Sequence, residues 1–278
     1  MRIAIGLIAA LALLALPSGA GTRSCESGGM PMELNVRSRV ELFKGSDEWR
    51  DVTIPIALDP KETAVVICDM WDRHWCRSAT RRCGDLARRM APVVDSLRSR
   101  GVLIIHCPSD TMAYYKEFPQ RALLRDAPKA EPPPGKEIAC PALPIDDSDG
   151  GCDDVPQCRN YIAWKREHPA IHMAREDGVT DNGQEVYNLL KQRGIRNLLV
   201  MGVHANMCIL NRTFAIRQMT KWGVRCILVR DLTDTMYNPR MRPFASHEQG
   251  TDLVIRYVEQ YWCPTVDSAQ LLPRTASR

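Results

Sequence analysis

The chain has 278 residues, 37 Lys and Arg against 33 Asp and Glu for a formal charge of +4, 45% hydrophobic residues and 11 cysteines. Those proportions are globular and exclude a disordered, collagen-like or coiled-coil chain, while the length suits one large domain or two small ones. The small positive charge is spread along the sequence, so no nucleic-acid or acidic-lipid partner is implied, and the cysteines are too dilute for a small disulfide scaffold.

Residues 1–20 read as a signal peptide. Arg2 precedes an apolar run from Ile3 to Leu16, then Pro17 and the small residues Ser18, Gly19 and Ala20. The run falls short of the roughly 18 residues a spanning helix needs. The mature protein is therefore expected to be secreted or periplasmic, with no membrane attachment after cleavage. Outside the cytosol thiols tend to pair. Cys76/Cys83 and Cys152/Cys158 are close enough in sequence to close small loops. Cys68, Cys107 and Cys226 lie in or at the end of apolar runs and read as buried small hydrophobes. The absence of a CxxC pair argues against both a structural zinc site and a thiol-redox role.

Residues 21–62 form a lead-in, with Pro55 and Pro60 and room for a short extra strand. A single main domain is expected over 63–278. Thr63 to Cys68 is a continuous apolar run ending at Asp69, as in a strand buried on both faces. Leu86, Met90, Val93, Val94 and Leu97 follow at helical spacing and stop at Gly101, with Pro92 marking a kink or a late start. Val102 to Ile105 predicts the second strand. The stretch of about 126–160, holding Pro132-Pro133-Pro134, three cysteines and the run Asp146-Asp147-Ser148-Asp149, reads as a long insertion pinned by disulfides. The acidic run fails the EF-hand spacing and reads as a solvated loop.

Ala170 to Met173 predicts the third strand. Asn182 and Glu185 make a capping box for a helix with the stripe Val186, Leu189 and Leu190, ended by Gly194. Leu198 to Met201 is the fourth strand, Asn206 to Trp222 a helix stopped by Gly223, and Val224 to Val229 the fifth strand. Ser246 and Gln249 cap a last helix, with apolar positions Leu253, Val254, Tyr257, Val258 and Tyr261. Alternating buried strands and amphipathic helices predict a three-layer α/β/α, Rossmann-like fold with a mostly parallel sheet of about six strands.

In such sheets ligands sit beyond the carboxyl ends of the strands. The first strand there ends in Asp69. The fourth leads through Gly202-Val203-His204-Ala205-Asn206-Met207 to Cys208, in the first turn of the next helix. A thiol in that position feels the positive end of the helix and its free N–H groups, and Asp69 can serve as its base.

These segments, with Gly223 and Asp231, resemble the isochorismatase-like cysteine hydrolases, the superfamily of nicotinamidases and N-carbamoyl amidohydrolases, over roughly 60–262. The resemblance implies Cys208 as nucleophile and Asp69 as base. It also implies a cis peptide after Val203, with His204 contributing its N–H to an oxyanion hole and Asn206 beside it. The third residue it implies is a lysine at the end of the third strand, and the expected position falls on Arg175, which cannot supply a neutral amine. The nearest lysine is Lys165, so Lys165 brought in by the insertion, Arg175 as fixed charge and an incomplete triad all stay open. Asp72, His74 and His106 are weak divalent-metal candidates; otherwise no cofactor is required. The expected activity is thioester-mediated cleavage of an amide-type C–N bond in a small molecule. The alternative is a catalytically incomplete binding protein on the same fold. Apolar helix faces are compatible with a homo-oligomer.

Overall fold

In the computed structural model, residues 30–135 and 137–273 are described; the expected signal segment and Cys25 lie outside them. Alternation of Met32, Leu34 and Val36 with Glu33, Asn35 and Arg37 builds β1 (Met32–Glu41), which pairs antiparallel with β2 (Trp49–Leu58). The apolar set faces the core and the polar set faces out, as the period of two demands. A 3-10 turn capped by Asp59 leads into β3 (Thr63–Cys68), buried at every position. There follow α1 (Arg77–Ser99), β4 (Leu103–Cys107), α2 (Met112–Tyr115), α3 (Pro119–Arg125), β5 (Gly178–Val179), α4 (Gly183–Gln192), β6 (Asn197–Val203), α5 (Cys208–Asn211), α6 (Ile216–Lys221), β7 (Arg225–Asp234), α7 (His247–Tyr261) and β8 (Thr265–Val266). No helix among the described residues is long and apolar enough to cross a membrane.

One sheet runs in the order β2-β1-β8-β7-β6-β3-β4-β5. The six strands from β8 to β5 are parallel, and the β1–β2 hairpin joins β8 antiparallel. The sheet thus has eight strands rather than about six, because the supposed lead-in supplies two long ones. On one face α4, α6 and α7 bury Leu189, Met219 and Val258 against Val66, Val200 and Leu228. On the other, α1 buries Leu86, Met90, Val94 and Leu97 against Val65, Ile67 and Leu199. The layers are α/β/α. From β3 the chain moves one way to β4 and β5, and β6 returns on the other side to start toward β7 and β8. The strand order therefore reverses between β3 and β6, where such sheets open a crevice.

Several expectations need correction. Ala170–Met173 is not a strand: turns close at Ile171 N–His168 O (3.0 Å) and Asp177 N–Ala174 O (3.3 Å), and the sheet edge is reached only at β5. The expected helix from Asn206 to Trp222 is two short ones, since Arg212 leaves α5 with extended backbone (φ −61°, ψ 147°). α1 begins well before Pro92 and carries it inside. The capping box at α4 is half-formed. Asn182 accepts from the N–H groups of Gln184 and Glu185, but the Glu185 carboxylate turns to Arg121.

The insertion is not pinned by disulfides; Cys76, Cys83, Cys140, Cys152 and Cys158 are free thiols. Polar contacts hold it instead, among them Tyr257 Oη to Pro141 O (2.9 Å) and Ala130 N to Asn188 Oδ1 (2.9 Å). Nor is its acidic run simply solvated. Asp147 accepts from Asn206 Nδ2 and Asp149 from Asn238 Nδ2, both at 2.7 Å.

Candidate active site

Asp69 leaves β3 with φ +49°, a conformation that aspartate tolerates better than most residues, and its side chain is completely buried. Its Oδ1 accepts the N–H of Ser109, beyond the end of β4, at 2.8 Å. Its Oδ2 accepts Nε of Arg212 at 2.9 Å. Burial pushes the Asp69 carboxyl up, and the Arg212 cation and the Ser109 N–H pull against that rise.

Across the crevice, the last residue but one of β6 is Gly202, whose φ is +121°. A Cβ there would lie 2.0 Å from the Cys68 carbonyl oxygen, so only glycine lets the two strand ends approach this closely. The Val203–His204 peptide is cis. Beyond it the chain closes one tight turn, with Met207 and Ile209 both donating to His204 O (3.0 and 3.1 Å). Cys208 follows at the first position of α5. Asp69 and the Cys208 thiol each shift the other's titration, so the two side chains are neighbours. Burial, reinforced by the Asp69 charge, pushes this thiol up to about 12 against the opposing pull of Arg212 and the His204 N–H. Asp69 and Cys208, distant in sequence, therefore meet at the switch point.

The basic residue beside them is neither Lys165 nor Arg175. Lys165 is exposed, and its backbone N–H donates to Asp72 Oδ1 at 3.0 Å. Arg175 is exposed as well, ahead of β5 rather than at its end. Arg212 occupies that place, one-third exposed, its Nη2 3.6 Å from Asp110 and its Nε on Asp69. Burial opposes its charge, but Asp69 outweighs burial and holds Arg212 firmly protonated. Arg212 was missed because it lies four residues after Cys208 on a segment expected to continue as a helix. That spacing of four was itself the available signal, since it places two side chains on one face.

The other candidates divide. The Asn206 amide is spent on Met236 (O at 3.0 Å, N at 2.9 Å) and on Asp147, which fixes the loop after β7 against the insertion. His204 packs edge-on to His74 at 5.2 Å, and burial lowers His204 to about 3 and His74 to about 4, so both rings are neutral. Trp71 and Trp164 stack at 4.1 Å beside His74. Asp72, His74 and His106 do not converge on a cation position. Asp72 closes a turn with Lys165, and both His106 nitrogens are taken, by Glu167 (2.7 Å) and Asp177 (3.1 Å). Asp231 lies within β7 and accepts from Ser268 N at 2.8 Å, away from Cys208.

No protein-family model matches the chain, and no curated protein matches it. Solved structures do resemble it. One is a cysteine hydrolase from Pseudomonas syringae pv. phaseolicola 1448A (15% identity, 77% of this chain and 92% of that one, TM-score 0.49). Another is an isochorismatase from Pseudomonas putida KT2440 (16%, 77% and 91%, TM-score 0.47). A third is a putative isochorismatase from Burkholderia xenovorans LB400 (14%, 77% and 90%, TM-score 0.45).

Proposed function

We propose that this protein is a cysteine hydrolase that cleaves the C–N bond of a small amide-type substrate through a thioester on Cys208. The observation that carries this reading is the buried Asp69 carboxylate, bonded to Arg212 at 2.9 Å and neighbouring the Cys208 thiol, at the crevice between β3 and β6. In the free protein the proton resides on sulfur. As sulfur attacks the substrate carbonyl, the proton passes to Asp69 and negative charge moves from carboxylate to substrate oxygen. The N–H of His204 and that of Cys208, in the first turn of α5, hold this oxyanion in the proposed mechanism. Asp69 then protonates the leaving nitrogen as the C–N bond breaks. A water molecule gives its proton to Asp69 and attacks the thioester; the C–S bond breaks, the acid departs and sulfur recovers its proton. Arg212 stays charged throughout, so its part is to balance the single negative charge that shifts among Asp69, sulfur and substrate.

Export of the mature chain, supported by Arg2 and the apolar run after it, is part of the same proposal. The decisive experiment presents small amides and N-carbamoyl compounds to the wild type and to Cys208→Ser, then measures turnover and the intact mass of quenched protein. Turnover with an acyl adduct on Cys208, both absent in the variant, is expected. Equal turnover by Cys208→Ser defeats the proposal. A second reading, a binding protein on this fold, draws on the thiol's upward shift to about 12. Substrate binding with neither turnover nor adduct would select it.

A further inference from the structure

Away from Asp69, a second group of sulfurs gathers where the insertion meets the start of α1. Cys76 directly precedes that helix, and Cys152, Asp154 and Cys158 come from the far end of the insertion. Among the described residues, the one group of three or more His, Cys, Asp or Glu with its ligand atoms all within 4.8 Å of one another is Cys76, Cys152 and Asp154. Cys158 adds a third sulfur. Measured from a single oxygen, Asp154 Oδ2, the sulfurs of Cys158, Cys76 and Cys152 lie at 3.2, 3.4 and 3.7 Å. We propose that Cys76, Cys152, Cys158 and Asp154 bind one divalent cation of the zinc type in a closed tetrahedral site.

The distances suit that geometry. With metal–sulfur bonds of about 2.3 Å and metal–oxygen bonds of about 2.0–2.2 Å, the sulfur–oxygen edge of a tetrahedron is about 3.6 Å. Three sulfurs at nearly that spacing from one oxygen match the three sulfur–oxygen edges, and the sulfurs of Cys76 and Cys152 also lie within 4.8 Å of each other. The donors are held in place independently of any cation. Asp154 Oδ2 accepts the N–H groups of Arg77 (2.9 Å) and Ser78 (3.1 Å), its Oδ1 accepts the Ser78 hydroxyl (2.8 Å), and Cys76 Sγ accepts the Ala79 N–H (3.5 Å). Such N–H groups spread the charge of metal-bound thiolates and fix their direction. Three thiolates and one carboxylate form a soft set that selects zinc over calcium or magnesium. Four protein ligands leave no open position, so the cation is structural. It would clamp the insertion to α1 beside Trp75, Met207 and Met236, which pack on this cluster. The sequence hides the site because Cys76 and Asp154 are 78 residues apart.

Binding displaces the thiol protons to solvent and changes no oxidation state. The test uses the full chain purified under reducing conditions, loaded with Zn²⁺ or Co²⁺ and freed of excess ion. One metal per chain is expected, with a near-ultraviolet thiolate-to-cobalt charge-transfer band and tetrahedral visible bands. Asp154→Asn and Cys158→Ser should each weaken Co²⁺ binding by at least about tenfold, while Cys226→Ser, at a buried thiol elsewhere, leaves it unchanged. Three results overturn the proposal. They are a folded wild type that retains no metal and shows no charge-transfer band, a native mass two hydrogens lighter with Cys152 in a disulfide, or undiminished Co²⁺ binding by Asp154→Asn. None depends on whether Cys208 is catalytic.

Discussion

In the proposed reaction Asp69 and Cys208 exchange one proton beside the permanent cation of Arg212, with Asp69 fully buried and Arg212 one-third exposed. A proton moving from sulfur to Asp69 leaves the net charge of this trio unchanged, which is why so buried a carboxylate can work as a base. Arg212→Met removes the balancing cation. It is expected to reduce kcat/KM by roughly 10²-fold. Because Arg212 pulls the Asp69 carboxyl down, its loss raises that group further, and the acid limb of the kcat/KM–pH profile should move to higher pH. Arg212→Lys keeps the charge and should recover part of both effects. An acid limb unmoved in Arg212→Met would show that the guanidinium does not act on Asp69. Asp69 and Cys208 were legible in the sequence because each closes a strongly apolar run or follows a Gly-Val pair. Arg212 was signalled only by its spacing of four from Cys208, and nothing in the residues between Cys208 and Trp222 announces that the helix breaks there.

Among the elements, β6 does most to bring the two strand ends together. Its apolar run Leu198–Met201 was enough to place it, as were the apolar runs within β3 and β7 and, for α7, the stripe behind its Ser246–Gln249 box. The failures follow another physical pattern. The region of β1 and β2 reads as a lead-in with room for one short strand because β2, with Pro55 inside and Ile54 and Ala57 exposed, has no clean alternation, and β5, with two residues, has no periodicity to read. The closure at Gly202 can be tested directly. Gly202→Ala combines a positive φ with a 2.0 Å approach to the Cys68 carbonyl and should destabilise by about 2–5 kcal/mol. Gly223 also has a positive φ (+79°), but with nothing near its Cβ direction, so Gly223→Ala should cost only about 1 kcal/mol. Urea unfolding of both variants measures the difference; equal losses would show that crowding at the crevice is unimportant.

For the molecule as a whole, the deepest charged cluster ties four separated segments together. His106 in β4 meets Glu167 on one side and Asp177 on the other, and Asp177 in turn receives Arg98 of α1 at 2.7 and 3.0 Å. Burial disfavours the imidazolium, but the attraction of Glu167 and the hydrogen bonds to both carboxylates outweigh it and raise His106 to about 9. An unfolded histidine titrates near 6.5. Below that pH both states hold the proton and the contribution of His106 to stability is complete. Between about 6.5 and about 9 the folded protein holds a proton that the unfolded chain has released, so stability must fall as pH rises. His74 and His204, lowered to about 4 and about 3, act in the opposite sense: below 6.5 the unfolded chain takes up protons they refuse, and stability falls as pH drops. From these three residues, stability should be greatest near pH 6.5. Denaturant midpoints measured from pH 5 to pH 9.5 should show that maximum in the wild type. His106→Gln should be destabilised by about 3–5 kcal/mol at pH 6.5, because the buried Glu167 carboxylate loses its cation while Asp177 keeps only the Arg98 cation. The variant should also lose most of the decline between pH 7 and pH 9. A wild-type midpoint that stays level through that interval would mean His106 is neutral in the folded state and the clamp is held by hydrogen bonds alone.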